Sequence, residues 1–190
     1  MIYLPLEDSL MLAKQVKKYA KNKKVLDMGS GDGIQAKAAL NAGAKSILAS
    51  DINHEVIKHL GDRDIKAILS DLFSNIEDKF DLIIFNPPYL PRDKREDSES
   101  SRITSGGKKG DEIILRFLKS LNKHLTTEGV SLIVISSLTP KIRIIAEIKK
   151  QKLSHRVLSS QKFFFETLEV WEIKKEDEER RKKKIGYIPN

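Results

Sequence analysis

Residues 80–89 read Phe-Asp-Leu-Ile-Ile-Phe-Asn-Pro-Pro-Tyr, a short apolar run that ends in a stiff polar turn. The run 80–85 is bounded by turn residues and predicts a buried β-strand. Asn86-Pro87-Pro88-Tyr89 then follows at the carboxyl end of that strand, where two prolines restrict the backbone. This tetrapeptide arises by chance in about one chain of this length per thousand. Its position directly after a strand therefore predicts a functional turn.

The segments on either side of this strand alternate between short apolar runs and amphipathic stretches. Helices are predicted at 6–19, 34–42, 54–60, 112–124 and 140–149. Strands are predicted at 24–28, 46–50, 65–69, 82–85 and 130–135, followed by a hairpin of 155–160 and 164–173. The pattern predicts an α/β fold, a doubly wound, mostly parallel seven-stranded sheet with a C-terminal antiparallel hairpin. The polar segment 91–110 is expected to be a long functional loop.

The composition limits the classes of protein that the chain can belong to. Its 190 residues suit one domain, predicted at 1–174, with a charged tail over 175–190. The absence of cysteine excludes disulfides and thiolate chemistry, the four histidines are scattered, and no metal is expected. No run could span a bilayer and no signal peptide is evident, so we expect a cytoplasmic location. The net charge of +8 favours acidic partners about as well as an ion-paired surface.

A glycine-rich turn follows the first predicted strand, with Gly29, Gly31 and Gly33 at alternate positions. Its spacing is too short for the third glycine of the dinucleotide fingerprint, and no Gly-Lys-Ser/Thr follows to make a phosphate loop. A donor without a phosphate, S-adenosylmethionine, fits better because glycine permits close approach of its methionine end, and Gly29, Gly31 and Gly33 are the predicted contacts. Taken alone, the turn is equally compatible with a plain strand-to-helix connection.

Acidic residues stand at the ends of the first three predicted strands. Asp51 can accept hydrogen bonds from both ribose hydroxyls, and Asp71, followed by Leu72, can accept from the adenine amine. Asp27, just before the glycine turn, can reach the amino group of the donor. Each could instead be a helix cap or a turn residue. Their shared position at carboxyl ends of parallel strands predicts one donor crevice.

The Asn86-Pro87-Pro88-Tyr89 turn suits an acceptor nitrogen whose lone pair is delocalised, as in an amide or an aromatic amine. The Asn86 side-chain oxygen and the Pro87 carbonyl can accept from its two N–H bonds, which aims the lone pair. Pro88 stiffens the turn, and Tyr89 can pack against the planar group. These four residues are the predicted catalytic set, and no general base is needed before transfer. Asn86 is also expected to contact the donor. A turn that merely ends a strand is the weaker alternative.

These motifs resemble those of the HemK-type class I methyltransferases, which modify glutamine side chains of translation release factors. Residues 5–9, Pro-Leu-Glu-Asp-Ser, are similar to the Pro-Ala-Glu-Asp-Thr/Ser opening of the archaeal and eukaryotic branch. In that branch the hydroxyl residue, Ser9 here, contacts the donor. Residues 106–113 resemble its Gly-Gly-Arg-x-Gly-x-Glu-Val segment, which implies that Gly106 and Gly107 border the substrate pocket. Residues 165–170 resemble its terminal Gln-Glu-x-Leu-x-Val strand.

The resemblance implies a Rossmann-like fold, S-adenosylmethionine as donor, and N5-methylglutamine formation in the Gly-Gly-Gln motif of a class 1 peptide chain release factor. It also implies a small zinc-binding activator protein as partner. The chain departs from the family in two ways. Bacterial members carry an N-terminal helical domain, whereas residues 1–23 alone precede the first predicted strand here. Thr104 stands where the family has a tryptophan. N6-adenine methylation of RNA or DNA is the open alternative, because the same turn suits an exocyclic amine. A non-catalytic protein that has kept only the fold is a third reading.

Overall fold

The computed structural model describes residues 7–63, 65–91 and 104–177. Its helices are α1 (Glu7–Tyr19), α2 (Ile34–Asn41), α3 (His54–Gly61), α4 (Glu112–His124) and α5 (Lys141–Lys150). The first strands are β1 (Lys24–Met28), β2 (Ser46–Asp51), β3 (Ala67–Leu69), β4 (Phe80–Phe85) and β5 (Leu90–Pro91). The remaining strands are β6 (Ser105–Gly107), β7 (Leu125–Ser136), β8 (Leu153–Lys162) and β9 (Thr167–Lys175).

Seven of these strands form one sheet in the order β3-β2-β1-β4-β7-β9-β8. The pairs from β3 through β7 are parallel, whereas β9 runs antiparallel to both β7 and β8. The predicted fold class is therefore confirmed, including the C-terminal hairpin. Helix ends lie within one residue of their predicted positions wherever the structure describes them.

Helices cover the central strands on both faces, and alternate residues of β4 show how. Leu82 packs into a buried cluster with Leu12 of α1 and Ala39 of α2. The next residue, Ile83, packs on the opposite face with Phe117 of α4. Because successive side chains of a strand point to opposite faces, both faces of a buried parallel strand must be apolar. This explains the continuous apolar run at the end of this strand.

Several strand predictions were wrong in their bounds at the N-terminal side, including β8, which begins at Leu153 rather than at 155. β3 begins at Ala67 rather than at 65, because Ile65 turns into a small core cluster with Val56 and Leu60 of α3. β7 begins at Leu125 rather than at 130, since Leu125 pairs with Phe80 across a register shift in β4. The differences in β3 and β7 arise from contacts that the local pattern does not encode.

The second strand of the hairpin was also predicted to start too early. β9 begins at Thr167, and Phe164 and Phe165 lie before it in the connection. Aromatic residues favour strands, which explains the prediction. The Phe163 N–H donates to the Glu166 carbonyl at 2.7 Å and closes the hairpin around the two residues between them. The register of the hairpin, not local propensity, decides this boundary.

The predicted loop 91–110 contains a short strand. β6 pairs in parallel with β5, as Leu90 does with Ser105. Residues 92–103 lie outside the described residues, as do residues 1–6, with the start of the predicted first helix, and the tail beyond 177. The domain end predicted at 174 falls inside β9. Within the described ranges, no helix is both long and apolar enough to cross a bilayer.

Candidate active site

A cavity of about 1390 Å³ opens along the carboxyl ends of β1, β2, β3 and β4. This is where ligands bind in open α/β sheets. The predicted site residues that line it are Ser9, Asp27, Gly29, Gly31, Asp51, Asp71, Leu72, Asn86, Pro87, Pro88 and Tyr89. Gly33, Gly106 and Gly107 do not line it. The structure thus brings the predicted donor residues and the predicted acceptor residues to one cleft.

The glycine turn after β1 adopts a backbone that only glycine takes easily. Gly29 and Gly31 have φ angles of 62° and 52°, in the left-handed region. Gly33, at φ 78°, lies at the start of α2, where an added Cβ would come within 2.6 Å of Leu60. Gly33 therefore serves the packing of α2 against α3, while Gly29 and Gly31 shape the cavity wall.

Asp51 at the end of β2 holds the glycine turn in place. Its Oδ2 accepts from the Gly31 N–H at 3.1 Å, and its Oδ1 accepts from the Asn53 N–H at 2.9 Å. Burial raises the pKa of this carboxyl. Each oxygen of an ionised carboxylate has a second lone pair, so Asp51 can still accept from a ligand hydroxyl in the cavity.

Asp27 is almost completely buried behind the turn, with 1% of its surface exposed. Its Oδ2 accepts from the Ala36 N–H at 3.0 Å. Burial raises the pKa of Asp27 to about 8, against the opposing effect of that hydrogen bond. A buried carboxyl of this kind is stabilised in its ionised form by a cation, such as an ammonium group, in the adjacent cavity.

Asp71 and Leu72 form the wall of the cavity next to β3. Asp71 is exposed, and its Oδ2 accepts from the guanidinium of Arg116 at 2.8 Å. Leu72 has a φ of 50°, and Ser70 Oγ donates to its carbonyl at 2.7 Å. The turn 70–72 is therefore held by a hydrogen bond of its own. Arg116 also lines the cavity, and the sequence analysis did not identify it.

Asn86 is the best defined of the predicted acceptor residues. Its Nδ2 donates to Asp8 Oδ2 at 3.0 Å and to Ser9 Oγ at 3.2 Å. Because a carboxylate can only accept, Asp8 sets the orientation of the Asn86 amide. The opposite atom, Asn86 Oδ1, is buried and has no hydrogen-bond partner in the part of the chain that the structure describes. A buried acceptor left unpaired is costly, so this oxygen is a site for an N–H donor.

The first turn of α1 supplies the partners of Asn86. Asp8 is 6% exposed and Ser9 is 1% exposed, and the Gln35 side chain donates to the Ser9 carbonyl at 2.9 Å. Sequence reasoning singled out Ser9 but missed Asp8 as a site residue. The only sequence signal for Asp8 was its position beside Ser9 in the Pro-Leu-Glu-Asp-Ser segment, since nothing local indicates a hydrogen bond with Asn86.

The segment 106–110 forms the back of the Asn-Pro-Pro-Tyr turn. A Cβ on Gly106 would lie 2.7 Å from the Pro88 carbonyl oxygen and would also contact the Gly110 carbonyl. A Cβ on Gly110 would lie 2.5 Å from the Tyr89 carbonyl oxygen. The glycines therefore permit backbone-to-backbone packing that supports the turn. These glycines do not line the cavity, whereas Thr104 and Ser105, just before them, do.

The connection between β8 and β9 forms the remaining wall. Phe163 and Glu166 line the cavity, and Ser136 Oγ donates to Glu166 Oε2 at 2.6 Å. Sequence reasoning did not place either residue in the site. The available signal was the similarity of residues 165–170 to a family motif, which indicated a strand rather than a cavity wall.

The strand order, the glycine turn after β1 and the carboxylates after β2 and β3 define the class of Rossmann-like methyltransferases. The model of the methyltransferase small domain family matches residues 7–164. A protein of Methanocaldococcus jannaschii, provisionally assigned as a protein N5-glutamine methyltransferase, is 39% identical over 177 residues, 89% of each chain. The chain therefore belongs to the methyltransferase small domain family, in the group of protein N5-glutamine methyltransferases.

Two further similarities concern shorter or more distant matches. A release factor glutamine methyltransferase of Lactococcus lactis is 33% identical over 87 residues, 42% of this chain and 32% of that protein. The structure of the E. cuniculi Mtq2-Trm112 complex, responsible for methylation of the eRF1 translation termination factor, superposes with a TM-score of 0.75 at 24% identity. That match covers 92% of this chain and 98% of the other, and it shows a shared fold.

Proposed function

We propose that this enzyme methylates N5 of the glutamine in the Gly-Gly-Gln motif of a class 1 peptide chain release factor, with S-adenosylmethionine as donor. The observation that carries the proposal is the Asn86 amide, whose nitrogen is held by Asp8 and Ser9 while its buried oxygen lacks a partner in the described ranges. A primary amide of a substrate supplies the N–H that this oxygen needs.

The residues around the glycine turn fit the donor. Gly29 and Gly31 leave room beside the backbone, and Asp51 offers carboxylate oxygens to ribose hydroxyls. Asp27 can pair with the ammonium group, and Asp71, which lines the same cavity, can accept a hydrogen bond from the adenine amine. S-adenosylmethionine, when bound, supplies an electrophilic methyl group on a positively charged sulfur.

The acceptor residues act by orientation. The Asn86 oxygen and the Pro87 carbonyl accept from the two N–H bonds of the substrate amide, which limits its rotation and exposes its nitrogen lone pair. Asp8 and Ser9 keep the Asn86 amide from turning over. With the donor bound, the nitrogen would gain the methyl group as the sulfur–methyl bond breaks, S-adenosylhomocysteine would leave, and the nitrogen would lose one proton to solvent. Positioning of this kind can supply a large part of a rate enhancement, because the entropy of alignment is lost before the reaction.

The relatives support a protein substrate. One relative is provisionally assigned as a protein N5-glutamine methyltransferase, and another is a release factor glutamine methyltransferase. The structural neighbour acts on eRF1 as a complex with Trm112. We extend the proposal on this basis to a small activator protein as partner and to action in the cytoplasm, where translation terminates.

The test is to locate the transferred methyl group. The full chain is incubated with isotopically labelled S-adenosylmethionine, a release factor, and RNA or DNA in separate reactions, and products are analysed by mass spectrometry. The same release factor with alanine in place of the Gly-Gly-Gln glutamine is the matched control substrate. We expect label on that glutamine and none on the control. Label on adenine would overturn the proposal in favour of a nucleic acid substrate, and donor binding without turnover on any substrate would indicate a non-catalytic protein.

A further inference from the structure

The turn of the β8–β9 hairpin presents two aromatic side chains to solvent. Phe164 is 91% exposed and Phe165 is 84% exposed. Their ring centroids lie 4.6 Å apart with an interplanar angle of 88°, an edge-to-face arrangement. The pair therefore presents one ring face and one ring edge at the tip of a defined turn.

The two residues on either side of this pair place it beside the active-site cavity. Phe163 and Glu166 both line the cavity. The Phe163 N–H donates to the Glu166 carbonyl, and Glu166 is anchored in turn by Ser136. The Thr167 N–H donates to Ser137 Oγ at 2.9 Å, which ties the base of the turn to the end of β7. The aromatic pair is thus carried on an anchored support.

Folding of the hairpin does not require aromatic residues at these positions. Tight turns favour Gly, Asn, Asp, Ser and Pro, and exposed aromatic rings forgo the stabilisation that burial provides. Exposed aromatic clusters mark sites of interaction, where their rigid rings contribute much of the binding energy. The pair therefore indicates a contact with another molecule.

The surface area that the two rings can bury indicates whether the pair could bind a second protein by itself or only extend an existing site. Two aromatic side chains bury on the order of 400 Å², whereas a stable protein interface needs about 800 Å² from each partner. The pair alone is too small to hold a second copy of this chain. It suits an extension of a site that already binds one part of the same ligand.

Resting on the proposed function, we infer that Phe164 and Phe165 form a docking rim for the backbone of the substrate segment that carries the target glutamine. A glutamine side chain spans only about 5 Å from its Cα to its amide nitrogen. When that nitrogen is bound at Asn86, the backbone must lie at the mouth of the cavity. A glycine-flanked segment has no side chains to separate its peptide planes from the rings.

The test compares steady-state kinetics of the wild-type chain with those of F164S/F165S, using the release factor as the variable substrate. We expect KM for the release factor to rise about 10-fold or more, with kcat at saturation within about twofold of wild type. The Kd of S-adenosylhomocysteine, measured by calorimetry, should not change. The matched control is L40S/V157S, which removes two half-exposed apolar side chains outside the cavity lining.

Each result supports or opposes the inference. An unchanged KM in F164S/F165S, or an equal increase in L40S/V157S, would overturn it. So would a wild-type dimer in sedimentation that the aromatic substitutions dissociate, because the pair would then bind a second copy. If the double variant unfolds, F164S and F165S are measured singly against the same criteria. A wild-type chain that methylates no release factor would instead remove the proposed function and this inference with it.

Discussion

The donor half and the acceptor half of the cavity are assembled from the chain in different ways. In the donor half, Asp51 accepts from Gly31, only 20 residues away along the chain. In the acceptor half, Asn86 donates to Asp8 across 78 residues. The acceptor wall also includes Glu166, from the far end of the sheet order. The hydrogen bonds that hold the donor half are mostly short in sequence, whereas those of the acceptor half depend on the whole fold.

This difference separates binding from orientation. The donor half consists mainly of turns that hold themselves, as in the hydrogen bonds that Asp51 accepts from Gly31 and Asn53, although Asp71 also pairs with Arg116 of α4. The acceptor half depends on α1 docking against the end of β4, since Asp8 orients the Asn86 amide. We therefore expect substitutions in the two halves to affect different kinetic quantities.

The largest expected effect is that of Asn86→Ala, which breaks the acceptor half alone. Loss of a positioned hydrogen-bonding group of this kind lowers kcat by about 10²–10³-fold. The Kd of S-adenosylhomocysteine should stay within about threefold of wild type, because donor contacts elsewhere remain. Single-turnover kinetics and calorimetry measure the two quantities, with exposed Asn41→Ala as the control. Parallel loss of donor binding would contradict the separation of the two halves.

Asp51→Ala should break the donor half instead. A hydrogen bond to a charged group contributes about 1.5–3 kcal/mol, so we expect the donor Kd to rise by about 10–100-fold. At saturating donor, kcat should stay within about threefold of wild type. A Kd close to wild type would mean that Asp51 serves only as the brace of the glycine turn.

Asp8→Ala sharpens the comparison, because Asp8 acts on the substrate through Asn86. The Asn86 amide would keep only its longer hydrogen bond to Ser9 and could turn over. We expect kcat to fall by about 10-fold, the equivalent of about 1.4 kcal/mol, with little change in donor Kd. Asp8→Asn, whose side-chain oxygen can still accept, should recover part of the rate. Equal losses in both variants would indicate a general disturbance of α1.

The smallest expected effect concerns stability. The pKa of Asp27 is raised by burial to about 8, so the unfolded chain, with its ordinary carboxyl pKa, releases this proton first as pH rises. The contribution of Asp27 to stability is therefore present below about pH 4 and is lost as pH rises toward 8. Asp27→Asn should be close to wild type at pH 4 and more stable by about 1 kcal/mol or more at pH 8.

Urea denaturation at the two pH values measures this difference in stability. Calorimetry measures the Kd of the donor for the wild type and the variant. The Asp27→Asn side chain has no charge to pair with an ammonium group, so a more stable protein should bind the donor more weakly. Glu77→Gln, at an exposed position, is the control for loss of one negative charge. A wild-type stability that does not decline from pH 4 to pH 8 relative to the variant would contradict the buried, protonated state of Asp27.

Much of the donor half could be predicted because its chemistry follows strand ends. An apolar run that stops at Asp27 or Asp51 shows where the carboxyl edge of the sheet lies. The exception is Gly33, predicted to bind the donor, which the structure places against Leu60. A left-handed glycine has the same sequence signature in either role. Its neighbour in space, not its spacing, shows which role the structure favours.

The acceptor half was predicted only as far as its own turn. Asn86 and Tyr89 belong to an uncommon motif, but the partners of the turn come from elements that carry no matching signal. Asp8 reads as an ordinary helix-start acid, and Glu166 reads as part of a strand. Gly106 was expected at the pocket edge and instead packs behind Pro88.

The sequence by itself determined the order of strands and helices, the carboxyl edge of the sheet and the residue types that stand there, because burial of apolar runs and turn chemistry act over short stretches of chain. Only the tertiary structure decided that Asp8 holds the Asn86 amide and that Phe163 and Glu166, on either side of an exposed aromatic pair, line the cavity. Those contacts join segments far apart in the chain, and their geometry exists only after the helices and the hairpin have packed on the sheet.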